Sequence, residues 1–286
     1  MQLNLDDKRI SYALLKKSDG DYETLVSHNL EKYYHPASLL KLFTAVMLED
    51  THLGVSSLND LQNLKKIESE RDLQKALLTS IKDSDNDALA FIIDILAPYE
   101  ADYNLLSEGQ LSDLVSARKA INKFFCSRDF SSAINLANKC FGFDYYGKEE
   151  QLLKFLGQNQ IICEDLIKLL KMIENSYPKS FQAMHREIAL VRTDDKPIPS
   201  SITDTQDYQV EAFAGKVLRE ELGITEIYSK AGWTSKVRHD AVIFDYALAK
   251  GDAPSARYIL TVMTDGFSYA PDMLQKVVEF LISEYI

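Results

Sequence analysis

At 286 residues, with 46% hydrophobic and 26% charged side chains, the chain can bury one large core or two packed ones, and its composition is not that of a disordered or fibrous protein. Thirty-two basic residues against 43 acidic ones leave a net charge of −11. That argues against nucleic acid as a partner, because binders of a phosphate backbone carry a basic footprint. The three cysteines, Cys126, Cys140 and Cys163, lack C-x-x-C spacing, and the five histidines contain no H-E-x-x-H. The expectation is buried free thiols in a reducing compartment, with no metal and no cofactor. Asp6 and Asp7 stand where a secretory leader has its basic start. No apolar run approaches the ~20 residues of a membrane span. These features predict a soluble, cytoplasmic chain without a membrane partner; a leader removed upstream would make it periplasmic.

In chain order, Ile10, Tyr12 and Leu14 share one side of a strand, Ser18-Asp-Gly20 makes a turn, and Tyr22 to Val26 returns as the second arm of a hairpin. After Pro36 the apolar period becomes helical, over Pro36 to Glu49, Arg71 to Ile81, Ala88 to Leu96, Leu114 to Phe125 and Asp165 to Ile173. The stretch 193–205, with Pro197 and Pro199, reads as a long loop. Strands return at Ile224 to Ala231, Arg238 to Leu248 and Arg257 to Thr264, and an amphipathic helix runs from about Pro271 to Tyr285. This order predicts an α+β fold: one antiparallel sheet built from both chain ends and flanked by helices, with an all-helical domain inserted. The expected division is 1–34 with 208–286 as the sheet domain and 35–207 as the helical domain, with the active site in the cleft between them.

Three short motifs carry chemistry. In Ser38-Leu-Leu-Lys41, Pro36 suits the first position of a helix. Ser38 then falls in the first turn, where unpaired N–H groups at the positive end of the dipole can stabilise an oxyanion. Lys41 lies on the same face among Leu39, Leu40, Leu42 and Phe43, an apolar setting that favours an amine able to accept a proton. The same spacing recurs at Ser116–Lys119 and Ser176–Lys179, so spacing by itself selects nothing; the helix start does. Ser84-Asp85-Asn86 sits between two predicted helices and would serve equally as an N-cap. Lys230-Ala231-Gly232 ends a predicted strand, where glycine would let a substrate backbone come close.

The three motifs together, in this order and on these elements, resemble the S-x-x-K, S-D-N and K-T-G signature of class A β-lactamases and penicillin-binding proteins. The resemblance runs over nearly the whole chain and implies a serine hydrolase acylated at Ser38 by a cyclic or linear amide and deacylated by water. It implies that Lys41 accepts the serine proton, Ser84 passes a proton to the leaving nitrogen, and Asn86 binds Lys41 and the substrate amide. Lys230, with Arg238, would hold a substrate carboxylate; Gly232 and the N–H of Trp233 would line the site, the latter completing the oxyanion hole. The implied partner is a small anionic amide or β-lactam, drawn to converging cations despite the acidic chain.

Two positions depart from the pattern. Ala231 stands where the family has a Thr or Ser hydroxyl, and Glu149-Glu-Gln-Leu152-Leu153 keeps the glutamate of E-x-x-L-N but ends in leucine. Glu149 is therefore either the deacylation base or an acid on an exposed helix start. Trp233 is expected to line the cleft, with covering the sheet edge as the alternative, and His239 to be a packed, hydrogen-bonded histidine. The alternatives to a β-lactamase-like hydrolase are a D-Ala-D-Ala carboxypeptidase or other amidase that stays acylated, and a non-catalytic ligand-binding relative.

Overall fold

A computed structural model describes residues 7–53, 70–99, 105–140, 146–187, 206–247, 255–266 and 272–286. The strands are β1 (Ile10–Ser18), β2 (Asp21–His28), β3 (Tyr33–Tyr34), β4 (Ile161–Ile162), β5 (His185–Glu187), β6 (Glu226–Trp233), β7 (Val237–Tyr246) and β8 (Ala256–Asp265). The helices are α1 (Leu40–His52), α2 (Glu70–Lys82), α3 (Asn86–Leu96), α4 (Glu108–Cys126), α5 (Gly147–Leu156), α6 (Cys163–Ser176), α7 (Pro178–Ala183), α8 (Gln206–Glu211), α9 (Ala214–Leu222) and α10 (Asp272–Tyr285). The backbone divides into two compact units. One comprises Met1–Leu39, Ile162–Lys171 and Met184–Ile286; the other comprises Leu40–Ile161 and Met172–Ala183. Residues 162–171 and those from Met184 onward thus group with the sheet, where the sequence suggested a helical block running unbroken to 207. The loop expected at 193–205 lies outside the described residues.

The first unit is a six-stranded antiparallel sheet in the order β2-β1-β8-β7-β6-β5. Its hairpin turns on Asp19 (φ 51°) and Gly20 (φ 91°), two consecutive left-handed residues whose twist matches the flanking strands. β1 is the strand that unites the chain ends, lying between β2 and β8. All six residues from Ile10 to Leu15 are buried, because both faces of this strand are covered. On one face Ile10, Tyr12 and Leu14 join Val242, Phe244, Leu260 and Val262 beneath the apolar stripes of α9 and α10. The terminal helix contributes Met273, Leu274, Val277, Val278, Leu281 and Ile282, the i, i+3/i+4 pattern of a helix packed by one face. β6 runs two residues past the expected Ala231, so that Lys230-Ala-Gly-Trp233 is all strand. The short edge strand β5 carries no periodic signal and was not anticipated.

In the second unit α1 is the hub. Every residue from Leu40 to Glu49 is buried, Lys41, Thr44 and Glu49 among them. Phe43 meets Phe125 edge-on at 5.2 Å, and Phe125 meets Phe130 at the same separation, a geometry that favours aromatic pairs beyond their buried area. Glu49 accepts the Lys179 and Ser180 N–H groups and the Ser180 hydroxyl (2.7–2.9 Å), so a buried carboxylate caps the first turn of α7. The expected helix start at Pro36 needs correction. Ala37–Leu39 is a 3-10 turn closed by Leu39 N–H on the Pro36 carbonyl (3.0 Å), and the α-helix begins at Leu40. Among the described residues all three cysteines are free, and Cys126 is exposed, Cys140 half-buried and Cys163 buried. The expectation of three buried thiols therefore fails at Cys126.

Candidate functional site

In the second unit Lys41, Ser84 and Asn86 come together. Lys41, the second residue of α1, has no exposed surface. Its Nζ donates to the Ser84 carbonyl, to Ser84 Oγ at 3.1 Å and to Asn86 Oδ1 at 2.8 Å. The backbone that makes this cage possible is unusual. Ser84 sits at φ +58°, a left-handed conformation that costs a non-glycine residue of order 1 kcal/mol. In it, both the carbonyl and the hydroxyl of Ser84 reach the amine. Asp85 between them does the ordinary N-cap work, accepting the Ala88 N–H at 2.7 Å with extended φ/ψ. The tripeptide is thus both a helix cap and an amine receptor. All three acceptors are uncharged, and one is a hydroxyl that can donate as well as accept. A neutral amine is satisfied by two acceptors and a donor and an ammonium by three acceptors, so these three groups can bind the amine in either form.

Glu149 is also in this unit and is not on an exposed helix start. In the first turn of α5 it is 5% exposed, and its Oε1 accepts from Arg118 Nη2 at 2.7 Å. Asp94 and Lys139 complete the network: Lys139 lies 2.7 Å from Asp94 and 3.8 Å from Glu149, and Arg118 lies 3.5 Å from Asp94. Among the described residues Glu149 Oε2 is buried without a hydrogen-bond partner. Arg118, itself 1% exposed, belongs to the competing S-x-x-K match at Ser116–Lys119. That stretch proves to be mid-helix in α4, and Ser176 is the last residue of α6, so neither competing serine starts a helix.

Ser38, Lys230, Gly232, Trp233 and Arg238 belong to the first unit. Ser38 is half-buried in the 3-10 turn, directly after Ala37 at φ +48°. That turn seats on β6. A Cβ at Gly232 would lie 3.1 Å from the Pro36 carbonyl oxygen, 3.2 Å from Leu39 N and 3.2 Å from Leu39 Cγ. The glycine is therefore needed because the protein's own backbone approaches, not first because a substrate does. Behind the turn stands His239, fully buried on β7. Its Nε2 faces the His35 carbonyl at 2.9 Å, and its Nδ1 accepts the Thr264 N–H at 3.2 Å. It is packed and hydrogen-bonded, as expected, and burial lowers its pKa to about 4, which keeps it neutral at neutral pH.

Lys230 is fully buried, and its amine donates to Gln209 Oε1 (2.9 Å) and to the Ala231 carbonyl (2.8 Å). Gln209 also accepts from Arg186 at 3.5 Å. Arg238 donates to the Ala212 carbonyl (3.2 Å) and the Tyr208 hydroxyl (3.1 Å), and its guanidinium lies 5.0 Å from the Phe213 ring centre. The Trp233 indole packs on Tyr208 and Phe213 at 5.3 and 5.6 Å. It joins the cluster beneath α9 and α10 on the same face as Ala231, because alternate strand residues share a face. Ala231 is opposite Asp240 in the ladder and has no exposed surface. The Trp233 indole is thus partly buried at the edge of the core. Sequence reasoning missed His35, Gln209 and Arg118: the side chains of Gln209 and Arg118 act on partners 21 and 31 residues away, and that of His35 accepts the Ala37 N–H only in the turn that the tertiary structure imposes.

Asp240 accepts the Ala214 and Ala241 N–H groups (2.9 and 3.0 Å). Burial nonetheless pushes its pKa from 3.8 up to about 7, against those donors and the charges of Lys230 and Arg186. No group of three or more potential metal ligands occurs among the described residues, and no described helix is long and apolar enough to cross a membrane.

The architecture is that of the class A β-lactamases: an α+β fold whose antiparallel sheet carries helices. A β-lactamase from Streptosporangium roseum matches with a TM-score of 0.56, over 96% of this chain and 92% of that one, at 10% identity. An ancestral (GNCA) class A β-lactamase matches with a TM-score of 0.54, over 97% and 95% of the two chains, at 11% identity. No protein-family model matches the sequence, and neither does any curated protein. What is shared is the fold.

Two outcomes follow from this geometry. Gly232→Ala should lower stability by about 1–3 kcal/mol by overpacking against Pro36 and Leu39, read as a fall in the urea midpoint. His239 and Asp240 should oppose one another with pH. The folded pKa of His239, about 4, lies below its ordinary 6.5, so its contribution is full above pH 6.5 and is lost as pH falls towards 4. The folded pKa of Asp240, about 7, lies above 3.8, so stability falls as pH rises from 3.8 to 7. In urea titrations across pH 4 to 6.5, Asp240→Asn should steepen the gain in stability with rising pH, and His239→Gln should reverse it.

Proposed function

We propose that this protein is a serine hydrolase that forms an acyl-enzyme on Ser38 from a small amide or lactam. The observation that carries the reading is the Lys41 cage: a wholly buried amine held by a hydroxyl, an amide oxygen and a carbonyl. Burying an amine is costly unless its hydrogen bonds are made inside the protein, and here one of the groups that makes them is a hydroxyl able to receive and pass on a proton. In this reading the Ser38 oxygen attacks the acyl carbon as its proton passes to Lys41, three residues on in the chain. The proton continues through the Ser84 hydroxyl to the departing nitrogen, and Asn86 keeps the amine in place. Lys230 and Arg238 supply the positive side that suits an anionic substrate, and Gly232 and the Trp233 N–H complete the acyl-binding strand.

Glu149 decides between turnover and a persistent adduct. With Oε1 bound by Arg118 and Oε2 buried without a hydrogen-bond partner among the described residues, it has one oxygen for a water and one fixed by an ion pair. The ion pair and Ala231 favour a second reading, a penicillin-binding type of enzyme that is acylated and released slowly.

Intact-mass measurement after incubation with a β-lactam tests both. An adduct on the wild-type chain, absent from Ser38→Ala, is expected; decay of the adduct supports hydrolysis, slowed in Glu149→Gln, and persistence supports the second reading. No adduct at any concentration, and none with a fluorophosphonate, would leave a non-catalytic ligand binder. Lys230→Met should slow acylation by an anionic β-lactam about ten- to a hundredfold and should affect the uncharged fluorophosphonate far less, a difference read from the two labelling rates.

A further inference from the structure

The turn that presents Ser38 is held by two histidines in series. His35 Nδ1 accepts the Ala37 N–H at 3.1 Å, which closes the backbone around the left-handed Ala37 (φ +48°). The His35 carbonyl is in turn held by His239 Nε2 at 2.9 Å, and His239 Nδ1 takes the Thr264 N–H at 3.2 Å. The two backbone amides fix the chemistry. An N–H can only donate, so both Nδ1 atoms must be bare, and the proton of His239 must be on Nε2, pointing at the His35 carbonyl. Protonating either ring sets an N–H against an N–H and opens that link. Gly232 lies below the same turn with no room for a side chain, so the turn is seated from β6 and tethered from β7.

We propose that His35 and His239 are positioning residues that hold Ser38 for attack, and that acidification releases the nucleophile's turn by protonating His35 Nδ1, while protonation of His239 loosens that ring from Thr264. This rests on the reading of Ser38 as nucleophile. The charged and titratable surroundings are few. On β8, Asp265 lies 3.5 Å from Lys32. On β3, the Tyr34 ring meets His239 edge-on at 5.6 Å, with burial raising its hydroxyl pKa. On α6, the Cys163 thiol is pushed up to about 12 by burial and stays neutral. Arg238 and Asp240 flank His239 on β7, and β6 presents the uncharged Gly232 opposite it. Asp265 favours the His239 imidazolium and His35 opposes it, and burial, the dominant cause, keeps both rings below the ordinary histidine range. Both are therefore neutral at neutral pH and become the weak points in acid.

The test uses the full chain. Nitrogen-15 NMR of the imidazoles at about pH 7.5 should show bare Nδ1 in both rings, and on acidification the Ala37 amide signal should move with the titration of His35. The rate at which a β-lactam or a fluorophosphonate acylates Ser38 should drop about tenfold or more in His35→Leu, which removes the acceptor. It should stay close to wild type in His35→Asn, whose Oδ1 can take the Ala37 N–H, and that variant should lose part of the acid fall in rate. A protonated Nδ1 in either ring at neutral pH, an Ala37 amide indifferent to His35, wild-type acylation in His35→Leu, or an unchanged acid fall in His35→Asn would each overturn the proposal. If wild-type Ser38 takes neither probe, the nucleophile reading fails, while the ring nitrogens and the Ala37 amide still decide the clamp.

Discussion

The burial of Lys41 is the constraint from which much of the second unit follows. An amine without exposed surface must find its hydrogen bonds inside the protein, because leaving one unmade costs the full desolvation of the group. The solution is local and strained: Ser84 adopts a left-handed backbone so that its carbonyl and hydroxyl both face the amine, and Asn86 closes the set from the first turn of α3. The strain is tolerable because Asp85 stabilises the same helix start as a cap. One tripeptide thus answers two demands, and the cost of the odd backbone is offset by the helix it begins. The Ser84 hydroxyl differs from the other two acceptors in that it can donate as well as accept.

The first unit shows the same logic applied to backbone rather than side chain. The turn carrying Ser38 includes a left-handed alanine and would relax if left alone. It is pinned by a glycine that lets it lie against β6, by His35 closing its own turn, and by His239 reaching up from the sheet. Rigid packing around a strained segment is how proteins keep a reactive group in one conformation. Two cations of this unit are treated similarly: Lys230 and Arg238 are both buried and hydrogen-bonded to Gln209, Tyr208 and backbone carbonyls. Glu149 is likewise enclosed, sharing its charge with Arg118, Lys139 and Asp94, so that a carboxylate resembling a surface acid in sequence is an interior ion in fact.

Periodicity carried the fold a long way. The Asp19-Gly20 turn, the late strands, α1 and the terminal helix all come from local patterns, and the union of both chain ends in one sheet follows from the order of those patterns. The meeting of Lys41, Ser84 and Asn86 was legible because their motifs are short in sequence and fall at element boundaries, where backbone groups are unpaired. Local pattern failed where the outcome hung on distant partners. It could not show that Glu149 is buried, because Arg118 is 31 residues away. It could not show that Trp233 packs on Tyr208 and Phe213, because those rings come from the α8–α9 segment, which only the tertiary structure brings over the strand. The edge strand β5 exists only because β6 is there to pair with it.

By itself, then, the sequence determined the α+β class, the helix that buries Lys41 and the Ser84–Asn86 motif that meets it, since these depend on propensity, capping and spacing within a few turns of chain. Only the tertiary structure decided what surrounds Glu149, why position 232 must be glycine and which histidines hold the turn of Ser38. Those are matters of close approach between segments up to some two hundred residues apart, and steric fit and hydrogen-bond partnership at that range are written in three dimensions, not along the chain.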